Sequence, residues 1–132
     1  MATRTIKQTA VIKNATPADI YGTLMNGTKH GALSGQPANV STRVGGKWSV
    51  GHDIEGKHLK LTKEKRIVQT WRANNWPKGT YSKATFALSK AAGGTKITFT
   101  QTGVPSEFYK ETSGGWKAYY WAPLKKTFAK AR

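Results

Sequence analysis

Polar and apolar residues alternate along six stretches of the chain, and a period of two predicts β-strands. The stretches are TIKQTAVIK (5–13), GKWSVGH (46–52), GKHLKLT (56–62), RIVQTWRAN (66–74), TYSKATFALSK (80–90) and TKITFTQTG (95–103). The last five are separated only by short turn-like segments, at residues 53–56, 63–65, 75–79 and 93–94. Connections this short favour antiparallel hairpins over parallel crossovers.

A helix start follows the first strand. Thr16 is a predicted N-cap, Pro17 stands at the first helical position, and Asp19 completes a capping box. The pair Asn26-Gly27 is predicted to end this helix. The stretch 28–39 is rich in glycine and predicts a short helical turn and a loop, with a solvated His30.

The segment GGWKAYYWAPLKKTF near the end of the chain predicts a long amphipathic helix. Large apolar residues recur at a spacing of four, which places them on one side: Trp116, Tyr120, Leu124 and Phe128. Ser113 is the predicted N-cap, and Pro123 predicts a kink. The alternative is an aromatic platform for nucleic-acid bases. A core-facing helix is favoured, because such platforms usually lie on sheets or in grooves.

The order of elements predicts an α+β fold, with a curved antiparallel sheet of about six strands wrapped around the C-terminal helix. A length of 132 residues fits a single domain spanning residues 1–132. A sheet that grips a helix leaves room for a cavity between them. Four aromatic residues are candidates for lining such a cavity: Trp48, Trp71, Trp116 and Tyr120.

Charge adds a feature that the pattern does not show. The chain has 22 Lys and Arg against 6 Asp and Glu, a formal net charge of +16, which favours association with acidic partners. The basic residues are spread along the chain and are denser at 57–66 and in the tail 125–132. The partner-binding candidates are Lys57, Lys60, Lys63, Lys65 and Arg66. A merely solubilising surface explains the same charge equally well.

Candidate catalytic chemistry is sparse in the sequence. No two of the six carboxylates share an apolar face, and no phosphate-binding or zinc-protease motif occurs. His52 and His58 flank a predicted turn near Asp53 and Glu55, but exposed hairpin histidines seldom complete a metal site. We therefore expect no enzyme activity, metal or cofactor. The sequence has no cysteine, signal peptide or long apolar run, so a cytoplasmic protein without membrane association is expected.

Five segments together resemble the C-terminal domain of activators of the heat shock protein 90 (Hsp90) ATPase. They are RVGGKWSVG, IEGKHLKL, KRIVQTWRANNWPKGTYSKATFAL, GGTKITFTQTGVP and GGWKAYYWAPLKKTF, between about Val44 and Phe128. The resemblance implies a helix-grip, START-like fold with two short helices after the first strand. It also implies a monomeric co-chaperone of the stress response that binds Hsp90 and modulates its ATPase cycle. The first forty residues match in layout only, and the larger N-terminal domain of full-length activators is absent from this sequence.

Two other functions remain open on the sequence. START-like proteins often bind small hydrophobic ligands, so a carrier or sensor of such a ligand is the first alternative. Binding of nucleic acid regardless of sequence is the second, and only the charge and the aromatic content support it. We expect no nucleic-acid interaction beyond non-specific charge attraction.

Overall fold

The computed structural model describes residues 2–129. Seven strands form one antiparallel sheet in the order β1-β7-β6-β5-β4-β3-β2. The strands are β1 (Thr3–Lys13), β2 (Ala38–Val40), β3 (Lys47–Val50), β4 (Ile54–Thr62), β5 (Arg66–Ala73), β6 (Ser82–Ala91) and β7 (Gly94–Pro105). The first helices are α1 (Pro17–Leu24) and α2 (Gly27–Ser34). The predicted fold class, including the two short helices after the first strand, is confirmed.

The C-terminal helix consists of three continuous segments after a 3₁₀ turn at Ser106–Phe108. They are α3 (Tyr109–Trp116), a π-helical segment (Lys117–Trp121) and α4 (Ala122–Thr127). The N–H of Ala122 donates to the carbonyl of Lys117, five residues earlier. The helix thus continues through Pro123, as predicted. Proline has no N–H, and its ring crowds the preceding turn of a helix. The wider π-helical segment is that preceding turn.

The start of α1 has the predicted capping box. The Asp19 N–H donates to Thr16 Oγ1 over 3.1 Å, and the Thr16 N–H donates to Asp19 Oδ2 over 2.9 Å. The end of the helix differs from the prediction. Asn26 caps a second helix, because its side chain accepts from the Lys29 N–H. His30 consequently lies inside α2 and is buried, so the prediction of a solvated His30 is wrong.

Two boundaries predicted from serine and glycine are also wrong, and one strand was missed. The C-terminal helix starts before Ser113, which is an interior residue and not an N-cap. Gly56 lies inside β4 and not in a turn. It is a glycine there because a Cβ would overlap the Thr70 carbonyl oxygen. Strand β2 was not predicted. It has only three residues, too few for an alternating pattern to be recognised.

Trp116 is the centre of the core between helix and sheet. Only 2% of the residue is exposed. Its ring centroid is 4.2 Å from that of Phe99 on β7 and 5.5 Å from that of Phe86 on β6. The indole N–H donates to Gln101 Oε1 over 2.8 Å. One side chain therefore supplies both apolar burial and a satisfied buried hydrogen bond.

A second indole fixes the same helix against the first strand. The Trp121 N–H donates to Gln8 Oε1 over 2.6 Å, and Gln8 Nε2 donates to the hydroxyl of Ser113 over 2.9 Å. At the end of α4, Asn14 Nδ2 donates to the carbonyl of Phe128. These contacts fix the rotation of the helix about its own axis and its distance from the sheet.

We predict that Trp116→Ala lowers the free energy of unfolding by about 3–5 kcal/mol, because it removes a large buried ring and leaves Gln101 without its donor. Urea denaturation followed by circular dichroism measures the change. Tyr119→Ala is the control, since Tyr119 is an aromatic of the same helix with 60% of its surface exposed; it should change stability by about 0.5 kcal/mol or less. Equal effects of the two substitutions would show that Trp116 does not hold the core.

Candidate functional site

A cleft of about 370 Å³ opens between the C-terminal helix and the turn that joins β3 to β4. Three of the four predicted cavity residues line it: Trp71, Trp116 and Tyr120. Trp48 lies at another surface depression, next to Gly56, where its indole N–H donates to the Thr70 carbonyl over 3.1 Å. The fourth residue is therefore not brought to the cleft.

The rim of the cleft differs in charge from the rest of the surface. Asp53 of the β3–β4 turn and Glu111 of α3 lie on it, and among the described residues no Lys or Arg lines the cleft. Behind the rim, ring centroids of Trp71 and Trp116 are 5.9 Å apart, so contacting aromatic rings fill the space toward the sheet. An acidic partner thus has no basic contact here.

Basic residues are gathered at the opposite end of β4 and β5. Lys60, Lys63, Lys65 and Arg66 are exposed and line one depression, together with Lys90 of β6. We call Lys60, Lys63, Lys65 and Arg66 the basic hairpin patch. Residues 16–18, at the start of α1, form its other wall. The depression is broad, about 800 Å³, and its basic side chains are exposed.

Lys57 is separate from the basic hairpin patch, although sequence reasoning grouped it there. It is exposed and pairs with Lys47 across β3 and β4. The β4–β5 register shifts between His58 and Lys60, which is the signature of a β-bulge, and this changes the direction of the strand. The basic tail was the other dense stretch in the sequence; its residues 130–132 lie outside the described residues.

His58 is buried, with 1% of its surface exposed, so it is not the exposed hairpin histidine that the sequence predicted. Its Nε2 donates to the Ser41 carbonyl over 2.8 Å, while Nδ1 is buried without a hydrogen-bond partner among the described residues. Burial lowers the pKa of His58, against a smaller raising effect of the bond to Ser41. Within residues 2–129, no three His, Cys, Asp or Glu side chains gather as a metal site.

His30 connects α2 to the C-terminal helix. Its Nδ1 lies 2.9 Å from the Leu24 carbonyl and its Nε2 lies 2.7 Å from the Tyr120 hydroxyl. A carbonyl only accepts, so Nδ1 carries the proton and Nε2 accepts from Tyr120. Burial lowers the pKa of His30 and raises the pKa of Tyr120, so both groups are neutral at pH 7. Sequence reasoning missed this role of His30; Asn26, an N-cap residue type that was predicted to end α1, is the signal that could have placed His30 on a second helix.

Comparison with known proteins gives a family match over most of the chain. Residues 14–129 match the family described as Activator of Hsp90 ATPase homolog 1-like protein. The chain is 34% identical over 115 residues to the Activator of 90 kDa heat shock protein ATPase homolog of Dictyostelium discoideum, covering 86% of this chain and 30% of that protein. It is 29% identical over 125 residues to the human homolog 1, covering 94% and 36%. The chain thus spans about a third of the length of these relatives.

A solved structure shows the same fold. The crystal structure of an HSP90 activator from Plasmodium falciparum superposes with a TM-score of 0.85 at 23% identity, over 95% of this chain and 96% of that one. Across residues 2–129, no helix is long and apolar enough to cross a membrane.

We predict that acidification destabilises the domain below about pH 6.5, the unperturbed histidine pKa. The folded-state pKa of His30 is lowered, so the unfolded chain takes up the proton first as the pH falls. The contribution of this histidine to the free energy of unfolding should be constant from pH 8 to 7. Below that range it should fall by at most about 1.4 kcal/mol per pH unit, and each further histidine with a lowered pKa should add a fall of the same size. Urea denaturation between pH 8 and 5.5 measures this slope.

Single substitutions assign the slope. His30→Gln should make it shallower and leave the part that His58 contributes. A slope that survives His30→Gln in full, or a protein that becomes more stable on acidification, would contradict the assignment.

Proposed function

This chain belongs to the Activator of Hsp90 ATPase homolog 1-like family, and we propose that it is a non-catalytic co-chaperone module that binds Hsp90 and modulates its ATPase cycle. The observation that carries the proposal is the family match over residues 14–129. The names of the Dictyostelium and human relatives describe activators of the 90 kDa heat shock protein ATPase. The proposal covers the aligned third of those proteins.

Charge supplies a physical mode of encounter. The proposal takes the chaperone to present an acidic surface, which the net charge of +16 on this chain would complement. Opposite charges steer two proteins together over about one Debye length, roughly 8–10 Å at physiological salt. We assign the steering to the basic hairpin patch, because its four side chains are exposed and line one depression. The cleft rim, with Asp53 and Glu111, is the wrong sign for this role.

Modulation of the ATPase cycle requires a preference between chaperone states. A bound protein shifts a conformational equilibrium only by its difference in affinity for the two states. The proposal therefore includes tighter binding to the nucleotide-closed chaperone than to the open one. In this proposal the domain acts as a monomer in the cytoplasm.

The two alternatives have less support. The comparisons do not favour a carrier of a small hydrophobic ligand, although the cleft occupies the place where such a ligand would lie. Nucleic-acid binding rested partly on the aromatic C-terminal segment. Trp116, Tyr120 and Trp121 are each at most 5% exposed, so these rings are not available to stack on bases.

We predict salt-dependent binding to purified Hsp90 that slows when the patch is reversed. The triple variant Lys60→Glu, Lys63→Glu and Arg66→Glu should reduce the association rate constant by about ten-fold at low salt and change the dissociation rate constant far less, because rim charges act on encounter. Surface plasmon resonance at 50 and 200 mM salt, with and without a non-hydrolysable ATP analogue, measures both constants. Affinity should be higher with the analogue.

The matched control reverses three exposed lysines at the β1–β7 end of the sheet, Lys7, Lys13 and Lys96. It removes the same charge from a different place, so its association rate should fall much less. No binding by the wild-type domain at low salt, or equal binding to DNA of any sequence, would overturn the proposed function. If both triple variants slowed association equally, the basic hairpin patch would have no special part in the proposed function.

A further inference from the structure

Two exposed aliphatic side chains lie near each other at the β3–β4 end of the sheet. Val44 is 63% exposed and Leu59 is 47% exposed. The backbone next to the two residues is hydrogen-bonded across the strands. The Gly45 N–H donates to the His58 carbonyl over 2.8 Å, and the His58 N–H donates to the Gly46 carbonyl over 3.0 Å. These bonds continue the β3–β4 ladder to the residues next to Val44 and Leu59. We call these two residues the apolar pair.

Leu59 lies at the bulge in β4. His58 stands opposite Gln69 and Lys60 stands opposite Val68, so Leu59 is an extra residue with no partner of its own on β5. It follows the alternation of the strand, in which Gly56 and His58 are buried and Lys57 and Leu59 are exposed. The leucine is therefore exposed directly beside a lysine of the basic hairpin patch, and bulges are common at functional positions.

The loop that carries Val44 is held by the buried His58. Three bonds join His58 to residues 41–46: the two backbone bonds given above and the bond from Nε2 to the Ser41 carbonyl. Within the loop, the Gly46 N–H donates to the Arg43 carbonyl over 3.0 Å. A Cβ at Gly46 would overlap the Ser41 side chain, which shows how closely the loop is folded. The apolar pair therefore lies on ordered backbone, and little entropy is lost when a partner covers it.

The surroundings of the apolar pair are basic. Arg43, Lys47, Lys57 and Lys60 are exposed, and the segments 41–50 and 56–63 contain no Asp or Glu. Lys47 and Lys57 stand directly opposite each other in the β3–β4 register. Like charges in that position repel and destabilise a sheet. An anionic partner surface would relieve this repulsion.

We propose that the apolar pair is the anchor that holds the bound chaperone, and that it takes an acidic protein surface that presents an apolar contact. The inference rests on the proposed function and adds the contact that governs dissociation. A few desolvated residues near the centre of an interface carry most of its binding energy and the contacts around them exclude water, while charges at the rim speed encounter. Val44 and Leu59 are the exposed apolar groups of the segments 41–50 and 56–63, whose basic residues are exposed beside them.

Two other occupants fit the surface less well. A second copy of this chain would bring two basic surfaces together in a protein of net charge +16. Nucleic acid would match the charge, but Val44 and Leu59 have no ring on which a base can stack. The surroundings thus favour a protein partner with acidic and apolar groups side by side.

The test is the dissociation rate of the double variant Val44→Thr, Leu59→Gln from purified Hsp90. Both replacements keep the approximate size and remove apolar character. We expect dissociation to accelerate about ten-fold or more, with an association rate constant within about two-fold of wild type. The two single variants should each give part of the effect. Val11→Thr is the matched control, because Val11 is 40% exposed on β1 and should leave both rates unchanged.

The outcomes separate this inference from the proposed function. If the wild type binds and the double variant, unfolding at the same urea concentration as wild type, dissociates at the wild-type rate, the apolar pair is not the anchor. Failure of the wild type itself to bind overturns the proposed function and this inference with it. A wild-type dimer in sedimentation analysis that the double variant loses would assign the pair to a second copy of the chain.

Discussion

The contact between the indole of Trp116 and the aromatic residues of the sheet joins the two layers of this domain. Phe99 and Phe86 approach it from β7 and β6, and Tyr120 and Trp121 lie beside it on the same helix. Ordering the helix on the sheet has an entropic cost that concentrated apolar burial must offset. A cluster of five aromatic rings around Trp116 provides that burial in one place.

Polar contacts around this cluster give the helix a single orientation. Trp116 donates to Gln101, and Gln101 Nε2 in turn donates to the hydroxyl of Ser82, which donates to the Trp71 carbonyl. Tyr120 extends the same arrangement to α2 through His30. Since buried polar groups are costly when left unpaired, any rotation of the helix that breaks one bond is penalised. The surface features beyond the sheet consequently have fixed positions relative to one another.

That rigidity allows an unusually basic surface. A charge of +16 on a small domain is self-repulsive and opposes the compact state. Burial of the aromatic core offsets this repulsion, while the charged residues lie outside the core. Leu59 of the apolar pair and Lys60 of the basic hairpin patch are neighbours at the bulge of β4, and neither the pair nor the patch contributes a side chain to the core cluster. Stability and partner contact are thus carried by different residues.

Periodicity was sufficient to predict the sheet, the gripped helix and the aromatic core, because each depends on which face of an element is buried. It failed where long-range packing decides. Gly56 resembles a turn glycine, yet it lies in a strand against the Thr70 carbonyl. Ser113 resembles an N-cap, yet burial of Thr112 and Trp116 extends the helix toward earlier residues.

The candidate site was predictable in part for the same reason. Charge density identified Lys60, Lys63, Lys65 and Arg66 without structure. The bulge that separates Lys57 from them depends on the pairing of β4 with β5, which no local pattern encodes. The hydrogen bond of the buried His58 is made to the Ser41 carbonyl, seventeen residues away. Such residues look like exposed hairpin positions in the sequence alone.

Hydrogen exchange of the domain, with and without the nucleotide-closed Hsp90, tests the account most directly. It reads every segment of the surface at once and needs no substitution. The account predicts slower exchange in residues 41–46 and 57–66 on binding, and unchanged exchange around the cleft at 111–120. Protection confined to the cleft, or at the β1–β7 end of the sheet, would contradict the assigned surface. No protection anywhere under conditions that saturate binding would contradict the account as a whole.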